Sequence, residues 1–408
     1  MLYLLTLAKM IFPLITLPYL TRVLSTDNYA IVSYEKSFST YLQLIIDFGF
    51  LLSAVKDIVE ANNDKEKIGI ITGHVLLAKV ILALAGYAIF MIIALCIPIL
   101  RENYFYTFLT LMGIFLTCFL ADYLFRGIEK MHVLTLVFLL MKGISTILTF
   151  VLVKNDSQLF LIPVLDIIGS LVAVLITWLF ILKYKIKVRI FSIKLSLKKL
   201  SDSFTYFISN MATTAFGAFN TIMIGIVILD KTQIAYWTLT FQLVTAVQNL
   251  YSPIINGIYP QMIRRKSLKV LKYVMLIIMP IVICGCAFCF FASKWILNIF
   301  GGEKYIDAYI LFRCFIPVLF FSFPAMLFGW PALGVINKQK IVTISTICTA
   351  ILQVSLVLLM LPINQFTLIN LALIRGFTEL FMMIFRMSFV IKYRDLFTVG
   401  QEEKTITE

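Results

Sequence analysis

The feature that most limits how this chain can fold is a succession of unbroken apolar runs, each roughly 20 residues long, from its first residues almost to its last. Each run is long enough to cross a hydrocarbon core of ~30 Å. In lipid, every backbone N–H and C=O must be satisfied within its own segment or within a closed barrel. The runs are continuous rather than alternating, so they predict helices and not barrel strands. Of the 408 residues, 61% are hydrophobic and 14% charged. The charged share is about half that of a soluble domain, which excludes a soluble fold. The hydropathy pattern predicts twelve spans, at 2–22, 29–54, 69–99, 104–125, 131–153, 158–182, 203–229, 233–259, 269–297, 306–334, 340–361 and 366–391. The connections are short, so no extramembrane domain is expected. Binding must then take place within the bundle or at its faces.

The net charge of +14 does not point to nucleic acid, because its placement follows topology. Alternate loops hold roughly twenty Lys and Arg against six in the others, counting Lys56, Arg126, the 183–199 run, Arg264 to Lys272, Lys338 and Arg394 in the richer set. The richer set is expected to face the cytoplasm, as are both termini. The opening MLYLLTLAKM has no basic leader and no A-x-A-like site, so no cleaved signal peptide is expected. The stretch KYKIKVRIFSIKLSLKKL at 183–200 reads as a basic linker lying along the membrane surface. It divides an N-terminal six-helix lobe (1–182) from a C-terminal six-helix lobe and short tail (203–408), with 183–202 as the linker. A weak internal repeat supports the division. AIVSYEKSFSTYLQLI (30–45) aligns with AYWTLTFQLVTAVQNL (235–250), and IEKMHVLTL (128–136) with INKQKIVTI (336–344), at nearly equal offsets. Six spans per lobe make the repeats parallel.

Charged side chains inside spans cost about 2.5–3.5 kcal/mol each on insertion scales, and so face a cavity or a partner. Here they are Lys9, Glu35, Lys36, Asp47, Lys79, Asp122, Lys142, Asp166, Arg313, Arg375, Glu379 and Arg386. Arg375 and Glu379 are four apart on one helix face, and Lys142 and Asp166 lie at similar depth, so mutual salt bridges are one reading of these four. Lys9, Lys36, Lys79 and Arg313 have no partner nearby in sequence and are expected on a cavity wall, where surplus positive charge favours an anionic substrate. Asn210, Thr213, Asn220, Gln242, Thr245 and Gln248 give the seventh and eighth spans a polar character suited to a sugar, or else to hydrogen bonds between helices. Tyr236 and Trp237 read first as interface anchors. Pro13 and Pro18, Pro253 and Pro260, and Pro317, Pro324 and Pro331 predict bends. Cys284, Cys286 and Cys289 lack a fourth ligand and read as packing thiols, not a metal site. No Walker A motif, Asp-rich metal motif or Ser–His–Asp arrangement is visible, and His74 and His132 stand alone. No cofactor, no metal and no catalysis are therefore expected.

Four segments carry a resemblance. PLITLPYLTRVLSTDNYAIVSY (13–34) resembles the opening P-Y-x-x-R-x-L-G-x-x-x-Y-G-like run of Wzx-type flippases of O-antigen and polysaccharide repeat units, with Ser25 and Ala30 where that family favours glycine. DFGFLLSAVKDI (47–58), YLFRGIEKMHVLT (123–135) and the block from Asn220 to Met262 are similar to its later segments, in the same order. The resemblance covers nearly the whole chain. It implies an all-α, MATE-like, V-shaped bundle of two lobes in a bacterial inner membrane. The implied cargo is an undecaprenyl-pyrophosphate-linked oligosaccharide, moved from the cytoplasmic to the periplasmic leaflet by alternating access. Membrane lipids are further partners, with a polysaccharide polymerase and chain-length proteins beside them. Arg22 matches the motif arginine and is expected at the periplasmic mouth. With Arg22, the residues Lys9, Lys36, Lys79, Arg313 and Arg375 and the amides Asn210, Asn220, Gln242 and Gln248 are the substrate-binding candidates. Glu35, Asp47, Asp166 and Glu379 are the candidates to carry a coupling proton, since burial disfavours a charge. The alternative reading is a MATE-like drug or metabolite antiporter. A membrane glycosyltransferase or polymerase would need a large outward loop, which this sequence lacks.

Overall fold

Helix boundaries in the computed structural model, which describes residues 2–397, fall at polar turns with left-handed backbone, as at Asn62, Glu129, Asn337 and Asn364, and at breaks inside apolar runs. The tail expected at the cytoplasmic face (398–408) lies outside the described residues. The chain divides into two compact units, one ending at Ala235 and one beginning at Tyr236. The first contains α1 (Leu2–Val23), α2 (Thr26–Asp47), α3 (Phe50–Glu60), α4 (Lys65–Cys96), α5 (Pro98–Glu102), α6 (Tyr104–Leu116), α7 (Asp122–Gly127), α8 (Met131–Leu152), α9 (Leu161–Lys183), α10 (Ile193–Thr214) and α11 (Asn220–Val227). Helix α12 (Lys231–Arg265) begins in the first unit and continues as the first helix of the second. The second continues with α13 (Leu268–Phe291), α14 (Ser293–Gly301), α15 (Tyr309–Cys314), α16 (Ile316–Leu327), α17 (Gln339–Leu359) and α18 (Leu368–Lys392).

Each of the twelve predicted spans is helical. Among the described residues, nine helical stretches are long and apolar enough to cross a membrane, and the chain is a multi-pass membrane protein. The other three, built on α2, α10 with α11, and α12, are richer in polar side chains. Large apolar residues point outward, as lipid requires: Leu276 is 68% exposed and Phe291 81%. On α13 only one stripe, through Leu271, Val282, Cys286 and Cys289, is buried. Cys284 faces outward, so the three nearby thiols do not converge.

The second predicted span is two helices, not one. Ser25 caps the start of α2 by accepting from the Asn28 amide, and Asp27 sits in its first turn. The helix stops because Phe48 and Gly49 are both left-handed, at φ 36° and 79°. Gly49 meets that requirement at little cost, and an added Cβ would lie 2.6 Å from the Cβ of Tyr206. The fourth predicted span also breaks, through a 3₁₀ turn at Thr117–Phe119 before α7. The apolar core of the first unit sits where α3, α4, α7, α8 and α9 meet, around Phe50, Ile58, Leu124, Phe125, Val133 and Ala173.

The basic stretch after α9 is docked on the first unit. Its backbone runs along α4, where Gly69 and Gly73 leave room. A Cβ on Gly69 would lie 2.0 Å from the Lys187 carbonyl oxygen, and one on Gly73 2.1 Å from that of Arg189. The Arg189 amide donates to the Gly69 carbonyl at 3.2 Å. Ion pairs Arg189–Glu66 (2.7 Å) and Lys199–Asp57 (2.6 Å) flank this seam. Helix α10 starts at Ile193, ten residues before the predicted seventh span.

In the second unit α18 packs on α16 and α17, and α13 on α16. Trp237 is fully buried, with Phe315 at a centroid distance of 5.0 Å, so it is a core residue rather than an interface anchor. The predicted bend of the tenth span is a π-helical stretch, Phe328–Gly334, with non-helical dihedrals at Gly329.

Candidate functional site

Three helices of the first unit bring charges together within their spans, near the middle of α2 and α8 and in the second turn of α9. Asp166 of α9 accepts from Lys142 Nζ at 3.1 Å and from Ser145 Oγ at 2.7 Å, both on α8. Lys142 and Ser145 are three apart, so one helix face presents both. Lys36 of α2 lies within electrostatic reach of Lys142 and Asp166. Lys36 is exposed, and the Lys142 and Asp166 side chains are 41% and 44% exposed. Two cations against one carboxylate leave a surplus positive charge on an accessible patch. Charges at such depth face water or a partner, because acyl chains offer neither.

Glu35, next to Lys36, turns the other way. It is 1% exposed and accepts from the Thr107 hydroxyl of α6. Its Oε2 is buried with no hydrogen-bond partner, and no cation pairs with it among the described residues.

Lys79 was expected to lack a partner and line a cavity; the structure corrects this. The side chain is 5% exposed, 3.6 Å from Asp47, and donates to the Leu120 carbonyl at 3.2 Å and that of Thr117 at 3.5 Å. Those carbonyls belong to the break after α6, where the regular helical ladder is interrupted and the Thr117 carbonyl takes the Leu120 amide in a 3₁₀ bond at 3.0 Å. Gln43 donates to Asp47 at 2.9 Å and accepts from Thr117 at 3.0 Å, closing the network. Asp122 feels Lys79, Asp47, Lys9 and Arg126. Lys9 is exposed, with Nζ 5.4 Å from the Phe138 ring centroid. Arg22 is exposed and folds back to the Pro18 carbonyl at 3.1 Å. Asn210 is exposed, while Asn220 is fully buried.

The second unit holds the other candidates. Arg313 is corrected in the same way as Lys79. Its Nε donates to the Phe290 carbonyl and to Ser293 Oγ, both at 3.0 Å, and its guanidinium lies over the Phe290 and Tyr309 rings. It ties the end of α13 to α15. Arg375 and Glu379 pair at 2.6 Å, both nearly inaccessible, as their spacing indicates. Gln248 of α12 donates to Ser322 of α16 at 2.5 Å, a bond between helices. Gln242 is partly buried.

Sequence reasoning did not single out Thr107, Ser145 or Arg386 as site residues. Ser145 was legible from its spacing to Lys142. Arg386 lies seven residues beyond Glu379, on the same side of α18 as the Arg375 pair. It is buried and donates to Ser345 Oγ, the Ala325 carbonyl and Thr346 Oγ1. Thr107 meets Glu35 only through tertiary packing, and nothing in the sequence marks it.

The sequence profile of the family described as "Polysaccharide biosynthesis protein" matches residues 1–266. A "Putative O-antigen transporter" of Shigella dysenteriae is 28% identical over 258 residues, or 62% of this chain and 64% of that protein. A protein of the same description from Escherichia coli (strain K12) is 24% identical over 338 residues, 80% of each chain. The chain thus spans under two thirds of the first relative and four fifths of the second. Among solved structures, the lipid II flippase MurJ in an inward closed conformation superposes with a TM-score of 0.74 at 15% identity, covering 97% of this chain and 89% of that one. An inward-facing multidrug resistance MATE family transporter of the MOP superfamily gives 0.69 at 14% identity, covering 97% and 96%. Superpositions of this extent at such low identity show a shared fold and no more.

Proposed function

This chain belongs to the polysaccharide biosynthesis protein family, and from that membership we propose that it is a flippase for a lipid-linked oligosaccharide. The cargo in this reading is an O-antigen or capsule repeat unit on undecaprenyl pyrophosphate. It passes from the cytoplasmic to the periplasmic leaflet of a bacterial inner membrane by alternating access. Two relatives bearing the O-antigen transporter name support the cargo class. The Lys and Arg asymmetry supports cytoplasmic termini.

The observation that carries the reading is the accessible group Lys36, Lys142 and Asp166. Asp166 is already engaged by Lys142 and Ser145, so one carboxylate faces two ammonium groups and the cluster carries a surplus positive charge. In a medium of reduced dielectric such a charge attracts a pyrophosphate head strongly while the polyprenyl tail stays in lipid. Of the four proton-carrying candidates, Asp47, Asp166 and Glu379 are held in ion pairs. Glu35 has only a hydroxyl partner, so we assign the coupling proton to it. The test is complementation of a deletion strain, scoring surface polysaccharide against protein level. Lys36→Ala is expected to reduce polysaccharide at normal protein abundance. Normal polysaccharide in Lys36→Ala and in the Lys36→Ala, Lys142→Ala double variant removes the group from the cargo path. Changed drug resistance with unchanged polysaccharide on deletion would turn the reading to a drug antiporter.

A further inference from the structure

A cavity of about 380 Å³ opens within the second unit, lined by Ser252, Asn256 and Tyr259 of α12, Trp330 and Pro331 of the π-helical stretch, and Arg386 of α18. Its volume is near the lower end of small-molecule sites, which suits one or two sugar rings. Arg386 is 7% exposed. Its three hydrogen bonds use three of the five guanidinium N–H groups, leaving one on each terminal nitrogen. No carboxylate lies within ion-pair distance of it among the described residues. Glu379, the carboxylate whose field reaches Arg386, is held by Arg375 at 2.6 Å, so two buried guanidiniums share one carboxylate and an anion entering the cavity would supply the second counter-charge.

The break at Gly329 shapes the wall beside Arg386. Gly329 has φ −75° and ψ −116°, and π-helical stretches concentrate at functional positions. Pro331, Ala332 and Leu333 beyond the break are buried, whereas Trp330 is 53% exposed. An added Cβ on Gly329 would meet Arg386 Nη1 at 3.0 Å, so the glycine also leaves room for the guanidinium. The wall therefore offers two aromatic rings, a free amide, a hydroxyl and one guanidinium. Rings suit the C–H face of a sugar, and the amide and hydroxyl suit its hydroxyl groups. A guanidinium with two N–H groups to give suits a phosphate.

We propose that this cavity binds a phosphorylated sugar. Arg386 takes the phosphate, Trp330 and Tyr259 pack against the ring, and Asn256 and Ser252 hold its hydroxyls. The head of a polyprenyl-linked sugar and a free sugar phosphate share this chemistry. Its place as a cargo subsite rests on the flippase reading above.

Full-length protein in nanodiscs is titrated with N-acetylglucosamine 1-phosphate while tryptophan fluorescence is followed. A parallel arm uses nanodiscs doped with polyprenyl-phosphate-linked N-acetylglucosamine. Saturable quenching is expected in at least one arm, and the responding arm identifies the source. Arg386→Gln weakens binding about tenfold or more, the scale of one charge-assisted hydrogen bond. N-acetylglucosamine without phosphate binds weaker by a similar factor. Trp330→Phe abolishes most of the signal, and calorimetry then shows binding retained. If Arg386→Gln fails to fold, the exposed variants Asn256→Ala and Trp330→Ala carry the test, each with several-fold weaker binding. Absence of saturable binding in both arms, or binding indifferent to all of these variants, overturns the proposal. Intact binding by a protein whose deletion leaves surface polysaccharide unchanged keeps the site and removes the flippase role. Lost polysaccharide on deletion, with no binding in either arm, removes the site alone.

Discussion

Replacing Lys79 by methionine keeps most of the side-chain volume but removes the charge that joins α4 to Asp47 and to the broken span after α6. Breaking a fully dry ion pair by removing one partner costs about 3–5 kcal/mol. Asp47 retains 33% side-chain exposure, so water compensates it in part, and about 2–3 kcal/mol is the expected loss. Asp47→Asn is milder, about 1–2 kcal/mol, because the amide oxygen still accepts and two carbonyls still hold the ammonium. In the double variant the two losses should overlap, with a coupling of about 1–2 kcal/mol. The assay is unfolding of purified protein in mixed detergent micelles, read by intrinsic fluorescence, with transport scored per folded molecule. Lys79→Met within about 0.5 kcal/mol of wild type, or strictly additive losses in the pair, refutes the structural role. A fall in transport per molecule at unchanged stability would return Lys79 to the cargo path.

Glu35→Gln preserves the Thr107 hydrogen bond but cannot carry a proton, so folding should stand and pH-gradient-driven lipid translocation in vesicles should fall to background. Ser145→Ala removes one of two donors to Asp166 and should cost about 1 kcal/mol, measured by the same micelle unfolding. Gly73→Val should push the Arg189 backbone off α4, and limited trypsin digestion should then cut faster between Lys183 and Arg189. Trp237→Ala should cost about 3–5 kcal/mol by emptying the space beside Phe315, visible as low membrane abundance.

The helical framework was legible because lipid forces long apolar segments to close their own hydrogen bonds. The pairs Arg375–Glu379 and Lys142–Asp166 were legible as well, the first from its i,i+4 spacing and the second from matched depth. Lys79 and Arg313 were misread for a common reason. Their partners include main-chain carbonyls, at Thr117, Leu120 and Phe290, that become available only where a helix stops. The stop after α6 left no polar signature, since TCFL lies inside an apolar run; the end of α2 is equally hidden, since Phe48 adopts a left-handed turn that no propensity assigns to phenylalanine. The Lys36 group resisted assignment because which face of α2 meets α8 and α9 is a tertiary quantity. Arg386 was visible as a charge, yet its three neutral partners were not.

The seam along α4 has a lopsided tolerance to change. On the helix side only glycine fits at 69 and 73, since any side chain would strike a carbonyl oxygen about 2 Å away. On the other side the contact is made by main-chain atoms, which nearly every amino acid supplies alike; proline at 189 is the exception, for want of the amide that reaches Gly69. A saturation scan should therefore find two intolerant columns facing positions 187 and 189, where the seam itself asks only for backbone and the Arg189–Glu66 pair adds a flanking side-chain contact. The recognition code is written in backbone, and half of it is invisible to any comparison of side chains.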